Sequence, residues 1–470
     1  MTKNLTTGQP AKLIVLFTIP LLIGNLFQQF YSMADTLIVG RTIGVNALAA
    51  VGCTGSITFF ILGFAQGLSS GLSIITAQRF GAQDEEGIRR SAAASIMISL
   101  CVTIILTALA IPLTMPLLRM LQTPEEIIGD AYQYLVIIFI GTGACVLFNL
   151  LSNLVRALGD SRTPLYFLVI ACVLNIGLDF LCILGFNMGV AGAACATILA
   201  QLVSGILCIV YIKKKLPLLW LTRDDFRIRR WEIAVHLKVG LPMAFQTSII
   251  AIGSLILQFA LNGLGAVSVA AYTAAQKIDM LATLPMSSFG TTMATYAAQN
   301  YGAQKYARIR KGVFQCAVIS VSFAVAMGLV NTFAGYQLVE IFVGGGQKQV
   351  LSLAEVYLRV NGSMYFVLSL LFIFRFTLQG LGKGLVPTIA GIMELVMRAF
   401  AAVVLAGAFG FAGACWANPL AWLGACVPLA IAYIITHKKM PKQDLDVMSQ
   451  NSCSRQTGYQ TCSAAEQRGI

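Results

Sequence analysis

The chain has 470 residues, of which 57% belong to the AVILMFWYC set and only 11% are charged, with a mean hydropathy of +0.80. An ordinary soluble domain is roughly 45–50% apolar and about 25% charged, so that class is excluded. The net charge of +13 fits basic loops against anionic lipid headgroups and calls for no nucleic-acid partner.

Apolar runs of about 20 or more residues can each cross a bilayer core of about 30 Å. They are too long and too uniform for the alternation of a transmembrane barrel, so helices are expected. Twelve spans are predicted: 13–39, 47–77, 91–118, 130–152, 163–186, 189–212, 234–262, 267–298, 312–338, 350–378, 384–408 and 411–436. The first run is too long for a secretory signal and carries Pro20 and polar residues, so it is read as part of the fold.

Six spans precede the polar segment 213–233 and six follow it. The two sets share landmarks about 221 residues apart: Ala77-Gln78-Arg79-Phe80-Gly81-Ala82-Gln83 returns as Ala298-Gln299-Asn300-Tyr301-Gly302-Ala303-Gln304. Gly189-Val190-Ala191-Gly192-Ala193 returns as Gly410-Phe411-Ala412-Gly413-Ala414, and Pro20, Gly159 and Pro164 return as Pro242, Gly382 and Pro387. Because six crossings are an even number, both copies enter from the same side, which makes the repeat parallel. The expected fold is an all-α integral membrane protein, with twelve transmembrane helices in two parallel-repeat six-helix bundles around a central cleft. Its parts would be an N-terminal bundle (1–212), a cytoplasmic linker (213–233), a C-terminal bundle (234–439) and a disordered cytoplasmic tail (440–470).

Basic residues crowd one set of loops, from Lys3 and Lys12 through Arg79, Arg89, Arg90, Arg156 and Arg162 to Lys213–Lys215, Lys305–Lys311 and Lys438–Lys442. The opposite loops hold only Arg41, Arg119 and Lys348. The positive-inside rule then puts both termini and the central loop in the cytoplasm. The twelve cysteines show no metal or redox spacing and read as small apolar residues.

Ionisable groups at membrane depth need a reason. Asp35 sits five residues before the outer end of span 1 and Asp179 seven before that of span 5, each roughly 8–11 Å deep. Thr197 in span 6 reaches the same level, Tyr31 and Asn175 lie one turn before their carboxylates on the same face, and Tyr134 enters from span 4. Two carboxylates without a basic partner in their own bundle either share protons or hold a cation, so Asp35, Asn175, Asp179 and Thr197 form a candidate H+ or Na+ site. Pro20 removes a helix hydrogen bond and permits a kink in span 1.

The second half does not repeat this cluster: Ala402 stands at the position of Asp179 and Arg398 at that of Asn175. It holds buried charges of its own, Lys277 with Asp279, and Glu394 with Arg398 at the spacing of an intrahelical ion pair. Arg359 and Glu355, near the start of span 10, have that spacing as well, and Arg375 lies further along the same span. Gln66, Met280, Met286 and Met293 are candidates to line the cleft. His236 and His437 are the only histidines, both at the cytoplasmic margin, where His236 is expected to be solvated. No nucleophile, base or metal constellation points to an enzyme, and no cofactor is expected.

The residues resemble the multidrug and toxic compound extrusion (MATE) transporters over about residues 10–440, closest to the DinF-like bacterial branch. The strings that carry the resemblance are Gln28-Gln29-Phe30-Tyr31-Ser32-Met33-Ala34-Asp35-Thr36, Arg156-Ala157-Leu158-Gly159-Asp160-Ser161-Arg162-Thr163-Pro164 and Asn175-Ile176-Gly177-Leu178-Asp179. The resemblance implies an antiporter of the bacterial cytoplasmic membrane. Organic, often cationic drugs would leave in exchange for H+ or Na+, with Tyr31, Asp35, Asn175, Asp179 and Thr197 as the cation site, Tyr134 nearby and Pro20 at the kink. No carboxylate stands in span 7, where other branches carry one. Partners would be small organic molecules and membrane lipids, with the chain a monomer. The alternative is a flippase for a lipid-linked or glycan precursor. Such a protein would line its cleft with many basic residues, and Lys277, Arg359, Arg375 and Arg398 are scattered along the second half.

Overall fold

The structure is a computed structural model that describes residues 4–343, 347–441 and 444. Most of the expected tail, 440–470, lies outside the described residues. In the first half, α1 (Pro10–Thr42), α2 (Val45–Gly81) and α3 (Glu85–Met120) are followed by α4 (Glu125–Ile140) and α5 (Thr142–Ala157). Next come α6 (Arg162–Phe180), which runs into a π-helical turn at Leu181–Gly185, and α7 (Val190–Lys215). After two short 3-10 turns the second half contains α8 (Arg230–Gly263), α9 (Ala266–Gly302) and α10 (Tyr306–Val343). It continues with α11 (Lys348–Ser363), α12 (Tyr365–Gly380) and α13 (Leu385–Phe400), then a π turn at Ala401–Leu405, α14 (Ala406–Cys415) and α15 (Ala417–Lys439).

These segments make the twelve spans read from the sequence. The fourth and tenth are each broken, α4 against α5 by 48° and α11 against α12 by 50°. The last boundary lies at Gly410, whose φ of 58° and ψ of −138° interrupt the helical path, as Gly189 does at φ 59° and ψ −139°. Only a residue without Cβ adopts that conformation cheaply, which is why glycine recurs at both positions. Among the described helices long enough to cross a bilayer, α9 alone falls outside those that qualify on apolar content. It is packed into protein along most of its length, from Ser268 to Asn300, so it needs no apolar coat.

The two lobes meet chiefly where α2 packs along α8, with further contacts of α2 and α1 on α9. Gly67 and Gly71 allow α2 to approach the backbone of α8 at Met243 and Gly240. At the end carrying the basic loops, α2 and α9 cross so closely that a Cβ on Gly81 would overlap the Gln299 carbonyl, and one on Gly302 the Gln78 carbonyl. Gln78 Nε2 donates to the Gly380 carbonyl at 2.8 Å, and Gln299 Nε2 to the Ala157 carbonyl at 2.7 Å. These are two copies of one bond, each reaching from its own lobe into the other, and together they close the basic end. His236 sits beside this region and is buried rather than solvated. Its Nε2 is 2.8 Å from Ser91 Oγ and its Nδ1 2.7 Å from the Glu232 carbonyl, because α8 begins against α3 rather than in open solvent.

Candidate functional site

In the first lobe a cavity of about 670 Å³ is lined by Tyr31 and Asp35 of α1, Gln66 of α2, Tyr134 of α4, Thr197 and Gln201 of α7, and Lys277 of α9. Helical spacing puts Tyr31 and Asp35 on one face of α1. The Tyr31 hydroxyl donates to Thr197 Oγ1 at 3.2 Å, tying α1 to α7. Asp35 is buried but reaches the cavity wall, whereas Asp179 and Asn175 lie fully buried and do not line the cavity. With its amide oriented to satisfy both neighbours, Asn175 donates to Asp179 Oδ2 at 3.0 Å and accepts from the Thr197 backbone N–H at 3.1 Å.

Two carboxylate oxygens in this cluster, Asp35 Oδ1 and Asp179 Oδ1, are buried without a hydrogen-bond partner. A buried oxygen of that kind costs free energy until it receives a proton or a cation. Charge, burial and orphaned oxygens therefore meet at one place. The donor set of carboxylates, amide and hydroxyl suits either H+ or a hard monovalent cation. Among the described residues no group of three or more His, Cys, Asp or Glu could hold a metal ion, so a bound Na+ would rely on the amide and hydroxyls as well.

The six residues expected to form the cation site are thus gathered in one place, in an order that the sequence does not show: Asp35 at the cavity wall, Asp179 behind it. Lys277 alters the charge reading. It comes from the second lobe yet lines the same cavity as Asp35, so the acidic cluster has a basic neighbour across the cleft, though no ion pair joins them among the described residues. Asp279, two residues on, points elsewhere. It is buried and accepts from the Tyr365 hydroxyl at 2.6 Å, which in turn accepts from Asn331 at 2.8 Å.

Pro20 is buried inside α1, which runs as one helix past it. Of the cleft candidates, Gln66 lines the cavity and Met280 is half-buried outside it. Met286 and Met293 are corrections. Both are fully buried in helix packing, Met286 with Ala282, Tyr365 and Leu368, and Met293 with Phe17, Phe289 and Tyr296. Met286 packs inside the second lobe, and Met293 packs where α9 meets α1 of the first. The Glu394–Arg398 pair forms at 3.1 Å as its spacing implied, and Arg375 of α12 takes the other carboxylate oxygen at 2.6 Å, so one acid serves two guanidiniums. Arg359 and Glu355 pair at 2.6 Å on the exposed side of α11.

Arg156 is the residue whose place the sequence concealed. Counted above with the loop cations, it sits in the last turn of α5 and faces a second cavity, of about 270 Å³, between the lobes. That cavity is also lined by Gln66, so the two adjoin. The sign that could have found it is the string around Arg156: an apolar helix continues to Ala157, which leaves Arg156 inside the last turn instead of beyond it.

Comparisons with known proteins fall on the same two halves. The MatE family model matches residues 20–181 and again residues 242–404, together more than half of the chain. A protein of Bacillus subtilis (strain 168) described as probable multidrug resistance protein YpnP is 35% identical over 308 residues, 65% of this chain and 68% of that one. Multidrug export protein MepA of Staphylococcus saprophyticus is 25% identical over 422 residues, 89% of this chain and 92% of that one. A solved structure described as the outward-facing conformation of a multidrug resistance MATE family transporter superposes with a TM-score of 0.86 at 25% identity, covering 94% of this chain and 98% of that one.

Proposed function

Since this chain belongs to the MATE family of multidrug efflux transporters, we propose that it is a secondary active antiporter, exporting amphipathic organic compounds, often cationic, in exchange for H+ or Na+. The observation that carries this reading is the pair of orphaned carboxylate oxygens on Asp35 and Asp179, one at a cavity wall and one behind it. A cation arriving through the cavity meets Asp35 first and gains Asp179, Asn175 and Thr197 as inner partners. An amphipathic cation in the cleft competes for the same negative charge, so the two species exclude one another and exchange follows.

The coupling step would act on α1. Neutralising Asp35 removes the repulsion between the two carboxyls, and the Tyr31–Thr197 bond transmits the change between α1 and α7. Pro20 gives α1 a point of weakness below the site, where the missing amide donor lowers the cost of bending. The bundles at 1–212 and 234–439 would rock about the cleft, with the 213–233 segment as their cytoplasmic tether. Both termini would face the cytoplasm of a bacterial cell, and the transporter would work as a monomer without a cofactor.

Proteoliposomes loaded with ethidium separate the coupling ions. An inward gradient of Na+ alone or of H+ alone should drive efflux, and the ion that does so is the one the site takes. If neither gradient moves the dye while a combined membrane potential and gradient also fails, the antiport reading falls.

A further inference from the structure

The second cavity carries the opposite charge to the first. Its lining includes two guanidiniums, Arg156 of α5 and Arg375 of α12, and no carboxylate. Arg375 is already engaged: it donates to Glu394 at 2.6 Å and, with the Gln246 amide oriented to accept, to Gln246 Oε1 at 3.1 and 3.3 Å. Glu394 also holds Arg398, so these three groups keep one net positive charge between them. Arg156 has no acidic partner among the described residues. One Nη donates to Asn153 Oδ1 at 3.2 Å, and its Nε is buried without any partner.

A guanidinium in that position has a donor fork to spare and no counter-charge, in a space shut off from the basic end by Gln78 and Gln299. The rest of the wall is amphipathic: Phe17, Phe372, Phe376 and Met243 beside Ser70 and Thr295. We propose that this deep cavity is an oxyanion subsite, in which Arg156 receives the carboxylate or equivalent oxyanion of an amphipathic aromatic substrate. A planar, two-oxygen group matches the fork, Arg375 adds long-range attraction, and the phenylalanines take the apolar body. Through the shared Gln66 the subsite adjoins the acidic cavity, so a zwitterion could place its cationic end toward Asp35 and its anionic end on Arg156. That the ligand is a transported substrate rests on the efflux reading above; the binding itself does not.

The test is equilibrium binding to the full-length protein in detergent, by fluorescence polarisation, of a fluorescent aromatic carboxylic acid and its methyl ester. The wild type should hold the acid on the order of tenfold more tightly than the ester. Arg156→Gln should erase that preference, and Arg156→Lys, a point charge without the fork, should restore only part of it. Size-exclusion profile and melting temperature report whether each variant folds. If the glutamine variant does not fold, the wild-type ratio and the lysine variant decide.

Equal binding of acid and ester by the wild type, no binding of the acid, or a preference that survives Arg156→Gln overturns the subsite. If phosphatidylglycerol displaces the dye more effectively than the unlabelled acid does, the site belongs to a lipid headgroup and the substrate assignment is overturned. No ion gradient enters this measurement. A protein that prefers the acid but transports nothing under any gradient would keep the subsite and lose the antiport reading.

Discussion

The two lobes share a backbone and differ in charge at corresponding positions. Broken spans at 48° and 50°, π turns at Leu181–Gly185 and Ala401–Leu405, and the glycines at 189 and 410 recur in register. Against that frame Asn175 is replaced by Arg398, Asp179 by Ala402, Asp35 by Leu257 and Tyr31 by Gly253, at offsets of 222–223 residues. The last exchange makes room for the first. Leu257 closes the second lobe with apolar packing, and a Cβ on Gly253 would come within 2.9 Å of an Arg398 nitrogen. Where the first lobe keeps an acid cluster with orphaned oxygens, the second puts a guanidinium and neutralises it on Glu394. The π turn occurs in both lobes, so packing accounts for it and ion chemistry does not. Features repeated by the duplication belong to the scaffold; those that diverge carry the chemistry.

The largest expected effect lies where the lobes differ most. Asp35→Asn and Asp179→Asn should each bring gradient-driven ethidium efflux down to the level of empty liposomes while leaving a folded, inserted protein, since an amide has nearly the volume of the acid and cannot bind a proton or cation alike. Glu394→Gln, the charged group at the neighbouring place in the second lobe, should instead lower the melting temperature, because it leaves Arg375 and Arg398 buried without a counter-charge, a loss of about 3–5 kcal/mol. Full efflux from either aspartate variant would erase the functional contrast between the lobes.

Where the lobes agree, effects should be matched. Gly81→Ala and Gly302→Ala each drive a methyl group into the backbone carbonyl of a glutamine in the facing lobe. Backbone atoms cannot rotate away as a side chain can, so the basic end should fail to close in both variants. Transport is expected to fall by on the order of tenfold or more, with amides near residues 73–81 and 294–302 losing protection from hydrogen exchange. A defect in one variant and none in the other would mean that the closure is not built symmetrically.

Much of this was readable from the chain, and the limits have physical causes. The twelve spans and the duplication could be read because hydropathy and landmark strings act locally and recur. Tyr31, Asp35, Asn175 and Asp179 could be read because helical spacing and depth are additive along a span. The order of Asp35 before Asp179 could not, since it depends on how α1 and α6 rotate about their own axes. Met286 and Met293 illustrate the same limit from the other side: their residue type made them candidates for the cleft, and residue type does not say whether a side chain meets the cleft or packs between helices. The second partner of Glu394 and the burial of His236 come from contacts between distant segments, which no local pattern encodes. Arg156 was counted with the loop cations because the predicted fourth span ends at residue 152, although its helix runs on to Ala157.

The smallest and finest test of the comparison is the glutamine pair. Gln78→Leu and Gln299→Leu each delete one bond across the closed end and orphan one carbonyl, Gly380 or Ala157. A bond of this kind contributes about 0.5–1.5 kcal/mol net, which should raise the open population at the basic end roughly two- to twelvefold. The two bonds act on the same closing step through different carbonyls, so the double variant should show close to the sum of the two free energies. One departure from symmetry is expected. Gln299 also accepts the Leu5 amide at 3.0 Å through Oε1, a bond with no counterpart shown at Gln78. Gln299→Leu should therefore exceed Gln78→Leu by about one further hydrogen bond. Hydrogen exchange at residues 73–81 and 294–302 reads the two single variants and the double variant on one scale. If Gln299→Leu and Gln78→Leu open the end equally, the N-terminal segment takes no part in closure; if Gln78→Leu has the larger effect, the closed end is held differently from the geometry of these two bonds.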